Sequence, residues 1–456
     1  MSSQAPRIAH GILCRAERDK VFPERAMAHR LKKPGLDAAE RARVREIVHG
    51  VLRNRLQLDH ILGKLSDIPL RDLERSVIWA LRIGAHRVLR HRGAPTPVAV
   101  KETVDLLPNR KGPRGFANAV LRALAGSVED RLPEVNPVPP GGRDLPFPDG
   151  SGLRFNRSLL PDSKSDLAAF LSVAYSHPIW IVRRWLGYLG EEPTVDALRA
   201  GCGPAPFSIR TNRLRISREQ LLERLKGSGF DVEAGGPPEA IRIRQGRAIL
   251  ESPEFAAGLF YVQDETPMQV VPFLDPKPGL RCLDLCASPG GKTTHLAELM
   301  ENQGEILAWD ISEGKLERIE ENCRRLGSSI VSTARIDPQE ETLPSPGTFD
   351  RVLLDVPCSN SGVFRRRPEA RLRLGPDSLK KLRDQQAALL EKALPLLAPG
   401  GTLVYSTCSL EPEENREVLA EFLERHAEII LREDRFVLPR PDGPDGGYMA
   451  RLESGT

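Results

Sequence analysis

The regular alternation of apolar runs and amphipathic stretches from residue 278 onward constrains the fold most. Apolar runs occur at 282–285, 306–309, 330–334, 352–355 and 402–406, and helical patterns separate them at 293–300, 312–326, 378–397 and 413–425. This alternation is typical of a parallel sheet with helices on both faces. Ligands of such sheets bind at the carboxyl ends of the strands, near the point where the strand order reverses. We therefore expect the chemistry of the chain at that edge.

The chain upstream of this pattern divides into three segments. Residues 1–131 carry apolar residues at spacings of three and four throughout, which predicts an all-α bundle. Residues 132–164 are rich in proline and glycine and are typical of a linker. Residues 165–270 mix helical and strand patterns. The predicted architecture is multidomain: an all-α N-terminal bundle, a linker, a small α+β segment, and an α/β domain with a mostly parallel sheet over 271–456.

The charge is unevenly distributed along the chain. Residues 1–131 carry a net charge of +12, whereas the remaining residues carry −8. A basic module suggests a polyanion such as RNA as partner, although a solvated surface is compatible with the same counts. No apolar stretch predicts a membrane span or a signal peptide. The seven cysteines show no spacing for zinc, so we expect a cytoplasmic, metal-free protein with reduced thiols.

The segment LDLCASPGGKTTHL (283–296) combines a strand, a glycine turn and a helix start. Gly290 and Gly291 let the backbone turn tightly and approach a ligand. A phosphate-binding P-loop would need glycine where this chain has Cys286, which argues against a nucleotidase. Asp310 ends the next strand, where an acid can accept the hydroxyls of a ribose. Asp337 follows the third strand and Asp355 ends the fourth. Three acids at successive strand ends, beside a glycine turn, predict a site for a nucleoside. Each acid could instead cap a loop.

Two cysteines follow neighbouring strands of the predicted sheet. DVPCSNSGVFRRRPEAR (355–371) places Cys358 after the fourth strand, and STCSLEPEEN (406–415) places Cys408 after the fifth. Carbon 5 of cytosine takes a methyl group only after a thiolate has added to carbon 6, so two thiols and a carboxylate on one edge fit that chemistry. Either thiol could attack by this reasoning, and a lone cysteine there could be a small buried hydrophobe.

The N-terminal module resembles the NusB family of RNA-binding domains. The resemblance rests on LDHILGKL (58–65), ALRIGAHRVL (80–89), PVAVKETVDLL (97–107) and FANAVLRAL (116–124), which occur in the family's order. It implies a helical domain that binds RNA.

The remainder, from about residue 165 to 455, resembles the RsmB (Sun, Fmu) family of bacterial rRNA cytosine-5 methyltransferases. The motifs are CASPGGKT, DVPCSNSGV, STCS and DGGYMARL (445–452). The resemblance implies S-adenosylmethionine as cofactor, 16S rRNA as substrate, Cys408 as nucleophile, and Cys358 as the cysteine of product release. It implies cofactor contacts from Cys286, Ala287, Ser288, Pro289, Gly290, Gly291, Lys292, Asp310, Asp337 and Asp355, the last also near the cytosine. A tRNA or 23S rRNA enzyme and a non-catalytic RNA-binding assembly factor remain alternatives.

The chain departs from the family pattern at a few positions. The family more often reads DAPCSGTG, where this chain has Val356, Asn360 and Ser361 in place of Ala, Gly and Thr. In VQDETPM (262–268), Gln263 and Asp264 match the family, whereas Pro267 and Met268 do not. The changes at Val356, Asn360 and Ser361 are small and affect the shape of the loop, and they remove no catalytic group.

Arginines and tryptophans supply candidate RNA contacts. An arginine run follows Cys358, and such a run can bind RNA phosphates or form a solvated face: Arg365, Arg366, Arg367, Arg371 and Arg373. Residues 174–190 predict one helix carrying Trp180 and Trp185, which could stack on bases or fill the core. We expect a monomer that acts on single-stranded or loop RNA.

Overall fold

A computed structural model describes residues 4–31, 35–90, 95–244, 247–337 and 347–455. The chain forms two compact units: Met1–Pro204 with Phe364–Arg373, and Ala205–Val363 with Leu374–Thr456. Within the described ranges, no helix combines the length and apolar character needed to cross a membrane.

Among the described residues, the first unit begins with seven α-helices, where the sequence predicts an all-α bundle. They are α1 (Ala5–Arg18), α2 (Pro23–Leu31), α3 (Ala38–Arg53), α4 (Arg55–Leu65), α5 (Arg75–Arg90), α6 (Thr96–Val104) and α7 (Lys111–Ser127). Asp37 starts α3 by accepting a hydrogen bond from the backbone N–H of Glu40. Helix α5 is central, because a Cβ on its Gly84 would lie 2.7 Å from Leu121 of α7 and 2.8 Å from Thr103 of α6. The helical bundle is confirmed.

The proline- and glycine-rich residues that follow form a sheet and not a linker. Strands β1 (Val128–Leu132), β2 (Asp144–Pro146) and β3 (Gly152–Phe155) pair in the order β1–β3–β2. Leu145, Leu153 and Phe155 are fully buried. The linker prediction over 132–164 was wrong because alternating apolar residues form a core here, while glycines such as Gly150 (φ +84°) supply the tight turns between strands.

Three helices complete this part of the first unit: α8 (Leu167–Ala174), α9 (Ile179–Tyr188) and α10 (Glu191–Cys202). The single helix expected over 174–190 was wrong, because the chain turns at Ser176 (φ +53°) and restarts behind Pro178. Trp185 is 1% exposed and stacks on Phe364 at 6.1 Å between ring centroids, so this tryptophan belongs to the core.

The second unit opens with a small antiparallel sheet. Its elements are β4 (Phe207–Thr211), α11 (Arg218–Gly227), β5 (Val232–Ala234), β6 (Ala240–Ile243), α12 (Pro253–Ala256) and β7 (Phe260–Val262). The strand order is β5–β6–β4–β7. Ser217 and Gln220 form a reciprocal capping box that starts α11.

A seven-stranded sheet forms the rest of the second unit. The strands are β8 (Arg281–Asp284), β9 (Glu305–Asp310), β10 (Val331–Arg335), β11 (Phe349–Asp355), β12 (Leu397–Thr407), β13 (Ile429–Val437) and β14 (Gly447–Ser454). The helices of this part are α13 (Glu265–Met268), α14 (Val270–Leu274), α15 (Gly291–Leu299), α16 (Glu313–Leu326), α18 (Pro376–Ala393) and α19 (Arg416–Arg425). Helix α17 (Ala370–Arg373) precedes α18 in the chain and belongs to the first unit. The order is β10–β9–β8–β11–β12–β14–β13, with β14 antiparallel to both neighbours. The predicted α/β domain with a mostly parallel sheet is confirmed.

A buried ion pair fastens the small sheet to the helix that follows the glycine turn. Arg210 of β4 donates to both carboxylate oxygens of Glu298 of α15, at 3.1 and 2.7 Å, and both side chains are 0% exposed. The same guanidinium donates to the carbonyl of Gly291 at 2.6 Å. The small sheet therefore braces the start and the end of α15.

We expect Arg210→Met to lower the free energy of unfolding by about 3–5 kcal/mol, because it leaves the Glu298 carboxylate buried without a counter-ion. Urea denaturation would measure the loss. Arg244→Met is the matched control, since Arg244 pairs with Glu233 on the surface, with the two side chains 63% and 43% exposed. Equal losses of unfolding free energy in both variants would contradict the larger contribution that we expect of the buried pair.

Candidate active site

Two neighbouring strands of the large sheet bring the thiols of Cys358 and Cys408 together. Strands β11 and β12 pair in parallel, with Asp355 opposite Ser406. Cys358 therefore follows the end of β11 by three residues, and Cys408 follows the end of β12 by one. Their Sγ atoms lie 3.1 Å apart. The sequence placed both thiols at this edge, and the structure puts them in direct contact.

The two thiols differ in their surroundings. A hydrogen bond to Cys408, reinforced by burial, raises the pKa of the Cys358 thiol well above its usual value. Cys358 therefore remains protonated near neutral pH and can donate its proton to the Cys408 sulfur. Cys408 also contacts the side-chain oxygen of Asn360 at 3.3 Å.

A buried carboxylate holds the two cysteine loops in place. Glu414 is 0% exposed; it accepts hydrogen bonds at 2.8 Å from the backbone N–H of Ser359 and at 2.9 Å from Gln386, and a further one from the Ser409 hydroxyl. The hydroxyls of Ser359 and Ser409 meet at 3.0 Å. Each serine directly follows a cysteine, so this network fixes the spacing of the thiols. Sequence reasoning missed Glu414, although its position in EPEEN directly after STCS was a signal.

Asp355 forms the charged group of the site. One carboxylate oxygen contacts Lys292 Nζ at 2.7 Å, and the other accepts from the Ser406 hydroxyl at 2.7 Å. Burial disfavours the charged form of Lys292, but the attraction of Asp355 and their hydrogen bond outweigh burial and raise the pKa of the ammonium. Lys292 belongs to the predicted cofactor segment, yet its side chain pairs with the acid beside the thiols.

The glycine turn after β8 leads into Lys292, which pairs with this carboxylate. Gly290 has φ +93°, a conformation that residues with a Cβ rarely adopt. A Cβ on Gly291 would lie 2.8 Å from the Tyr261 ring. Both glycines are therefore required by the backbone path, as the sequence predicts.

The remaining residues of the turn are placed by backbone contacts. Ala287 donates its N–H to the carbonyl of Trp309 at 2.9 Å, and the carbonyl of Pro289 accepts from Asn322 at 2.9 Å. Burial raises the pKa of the Cys286 thiol well above its usual range, so this third thiol stays protonated.

The acids predicted at the strand ends occupy different environments. Asp310 is 4% exposed and accepts from the backbone N–H groups of Ser288 (3.0 Å) and Ile311 (2.6 Å), while Lys315 pairs with it at 2.8 Å. It thus ties the glycine turn to the end of β9. Asp337 follows β10 and is exposed, next to residues 338–346, which lie outside the described ranges.

Asp284 is a further acid at this edge that sequence reasoning missed. It ends β8, accepts from Thr293 at 2.7 Å, and its other oxygen is buried without a hydrogen-bond partner among the described residues. Burial raises the pKa of its carboxyl to about 7, and nearby Asp355 adds to the rise. Its place at a strand end, like that of Asp310, was the available signal.

Two further motif segments contact each other and support the thiol loops. Asp264 accepts from the backbone N–H of Asp445 at 3.0 Å and from that of Thr266 at 3.1 Å. Gly362 donates its N–H to the carbonyl of Cys408 at 2.9 Å, and Gly446 donates to the carbonyl of Gly362 at 2.9 Å. The segments VQDETPM and DGGYMARL therefore shape the site through backbone contacts.

The arginine run does not form one exposed surface. Arg365 and Arg371 are 1% and 0% exposed within the first unit, whereas Arg367 is exposed and Arg366 is partly buried. Arg371 donates to the carbonyl of Arg53 and contacts His177 at 3.3 Å. The expectation of RNA contacts does not suit Arg365 and Arg371, because both side chains are buried. It stays a prediction for Arg366 and Arg367.

Asp284 makes the stability of the protein depend on pH. Because the folded-state pKa is raised above that of the unfolded chain, its stabilising contribution is complete at acidic pH and is lost as the pH rises through about 7. We expect Asp284→Asn to gain stability relative to the parent between pH 4 and pH 8, measured by urea denaturation at each pH. A difference that is independent of pH, or that shrinks as the pH rises, would contradict the raised pKa.

Comparison with known proteins places the chain in a family. Residues 271–452 match the family model of the 16S rRNA methyltransferase RsmB/F, residues 5–126 match the NusB family, and residues 177–250 match the ferredoxin-like domain of RsmF/B-like methyltransferases.

Individual relatives align over much longer stretches. The probable ribosomal RNA small subunit methyltransferase B of Bacillus subtilis is 31% identical, over 98% of this chain and 97% of its own. The solved protein designated PH0851 superposes over 100% of both chains with a TM-score of 0.77 and 26% identity. A solved methyltransferase homologue from Pyrococcus horikoshii covers 63% of this chain and 99% of its own, with a TM-score of 0.55 and 30% identity.

Similarity over nearly the full length to such a relative, with matches to the NusB, ferredoxin-like and RsmB/F models in that order along the chain, shows that the protein belongs to the RsmB family of ribosomal RNA small-subunit methyltransferases and is an RNA methyltransferase.

Proposed function

We propose that this protein transfers the methyl group of S-adenosylmethionine to carbon 5 of a cytosine in 16S rRNA through a covalent bond to Cys408. The observation that carries this proposal is the contact of two thiols, Cys358 and Cys408, at 3.1 Å, on the edge of the sheet that also holds Asp355. A methyltransferase that acts on oxygen or nitrogen has no need of paired thiols, whereas carbon 5 requires a nucleophile at carbon 6.

The residues of the glycine turn fit a nucleoside cofactor. The turn leaves no room for a Cβ at Gly290, where it would lie 3.2 Å from Ile319, and Asp284 has a buried carboxylate oxygen that still lacks a partner among the described residues. The turn from Cys286 to Lys292, with Asp310, Asp337 and Asp355, would hold the cofactor. When bound, S-adenosylmethionine supplies an electrophilic methyl group.

The thiols and the carboxylate perform the remaining steps. The Cys408 thiolate forms a bond to carbon 6, and the electron pair of the ring double bond moves to carbon 5, which takes the methyl group. A base then removes the proton from carbon 5, the double bond forms again, and the Cys408 thiolate leaves. We assign to Cys358, whose thiol contacts the Cys408 sulfur, a role in this release of the methylated RNA from Cys408. Lys292 and Ser406 hold the Asp355 carboxylate in place beside the thiols.

The first unit offers a surface for the RNA backbone. Its residues 1–131 carry a net charge of +12, and a groove of about 650 Å³ between α1 and α2 is lined by Arg7, Arg15 and Arg30. Guanidinium groups bind phosphates bidentately. The names of the relatives as small-subunit rRNA methyltransferases support 16S rRNA over tRNA or 23S rRNA as the substrate.

The assigned roles predict opposite behaviour of two cysteine variants. Cys408→Ala should abolish methyl transfer, because no bond to carbon 6 can form. Cys358→Ala should instead accumulate enzyme joined to RNA, because release fails after transfer. Incubation with S-adenosylmethionine and unmodified 16S rRNA, followed by a denaturing gel, would show the adduct as a slowly migrating band.

Cys323→Ala is the matched control, because Cys323 is a buried thiol of α16 in the same unit, outside the cysteine loops. It should behave as the parent protein does. A band with Cys408→Ala alone would reverse the two roles. Failure of the parent to methylate 16S rRNA, together with activity on tRNA or 23S rRNA, would overturn the substrate.

Gly290→Ala should weaken S-adenosylmethionine binding at least tenfold. The added Cβ meets Ile319, and the left-handed backbone costs roughly 1–2 kcal/mol for a residue other than glycine. Isothermal titration calorimetry would measure the affinity. Gly314→Ala in α16 is the control, because a Cβ there meets nothing within 4 Å, and it should bind the cofactor as the parent does. Unchanged affinity in Gly290→Ala would exclude this turn as the cofactor site.

A further inference from the structure

The side chain of Asn360 lies between the two cysteine loops. Its amide nitrogen donates to the carbonyl of Cys358 at 2.8 Å, and its amide oxygen lies 3.3 Å from the Cys408 sulfur. The residue has φ +61°, in the left-handed region that glycine and asparagine tolerate best. Asn360 therefore combines a backbone that glycine could also adopt with an amide that contacts both cysteine loops.

The contacts of Asn360 fix the direction of the hydrogen bonds around the thiols. A carbonyl oxygen can only accept, so the amide nitrogen must face the Cys358 carbonyl and the amide oxygen must face Cys408. The amide oxygen also can only accept, and therefore the Cys408 thiol donates its proton to it. The Cys408 sulfur is then free to accept the proton of the Cys358 thiol at 3.1 Å.

We propose that Asn360 is a positioning residue that holds Cys408 as a neutral, oriented thiol in the resting enzyme and so controls the pH at which this thiol becomes reactive. This inference rests on the proposed role of Cys408 as nucleophile. An acceptor aimed at the S–H stabilises the neutral thiol, whereas only the thiolate attacks carbon 6. The amide thus suppresses reaction before a cytosine enters and is displaced or rotated when the thiolate forms.

Other charged and titratable groups act on the same thiol pair. The Lys292 ammonium, which pairs with Asp355 at 2.7 Å, lies within electrostatic reach of Cys408. Glu414 and Tyr405 lie near Cys358 from the neighbouring loop and strand. Because these groups are unchanged in Asn360 variants, any shift in the variants reports the amide.

The test measures alkylation of Cys408 by iodoacetamide as a function of pH, resolved by peptide mass spectrometry under reducing conditions. Asn360→Gly retains the left-handed backbone and removes the acceptor. It should lower the pH of half-maximal alkylation by roughly half a unit to one unit, the size expected for one hydrogen bond. Asn360→Asp places a negative acceptor beside the thiol and should raise this pH.

Asn302→Gly is the matched control. Asn302 also has a left-handed backbone (φ +54°) and uses both amide atoms, donating to the carbonyl of Gly327 at 2.9 Å and accepting from Ser329 at 3.1 Å. It contacts neither thiol loop, so the alkylation profile should match that of the parent. A general effect of replacing a left-handed asparagine by glycine would shift both profiles alike.

An upward shift in Asn360→Gly would mean that the amide donates to a thiolate, and an unchanged profile would mean that it has no influence; either result overturns the proposal. The assay needs neither RNA nor cofactor. If the shifts occur as expected while Cys408→Ala still transfers methyl groups, the role of Asn360 stands and the assignment of the nucleophile falls. If the shifts are missing while Cys408→Ala is inactive, the assignment of Cys408 as nucleophile stands and the role of Asn360 falls.

Discussion

The parallel pairing of β11 with β12 determines the geometry of the site. Because Asp355 lies opposite Ser406, the two strands end at the same level, and both loops leave the sheet side by side. A slip of the register by two residues would move one loop along its neighbour by about 6.6 Å, at roughly 3.3 Å a residue. The thiols would then lose contact. The buried residues Leu354 and Tyr405, paired across these strands, therefore support catalysis through packing.

Two carboxylates of the site perform different tasks because their surroundings differ. Glu414 is fully buried and accepts hydrogen bonds from Ser359 and Ser409 of the two cysteine loops and from Gln386 of α18, so it acts as a fixed anchor for the loops. Asp355 is partly exposed and is held between one ammonium and one hydroxyl. A buried, saturated carboxylate has no capacity left for a substrate, whereas a partly exposed one has. Each acid belongs to one of the two cysteine motifs, and burial distinguishes the anchor from the carboxylate that can still contact a ligand.

Residue periodicity predicted the helical bundle, the alternation of the large sheet and the edge that holds the thiols. These succeed because strand and helix patterns are local, and because parallel strands share their carboxyl ends. The sheet over 128–155 was missed because its core consists of a few residues, among them Leu145 and Leu153, within many prolines and glycines. The burial of Arg371 was missed for a related reason. A charge run carries no periodicity that tells which of its members faces the interior, and the partners, His177 and the carbonyl of Arg53, lie far away in sequence.

The Arg210–Glu298 pair gives the small sheet a role beside any contact with RNA. Its guanidinium reaches the carbonyl of Gly291 and the hydroxyl of Thr294, so one side chain of β4 holds the first turn of α15. Lys292, which pairs with Asp355, belongs to that same turn. A displacement of β4 would therefore move the ammonium that orients the carboxylate beside the thiols. The buried pair costs desolvation energy that an apolar contact would avoid, and such a cost is tolerated where it fixes geometry. The small sheet is accordingly part of the scaffold of the site.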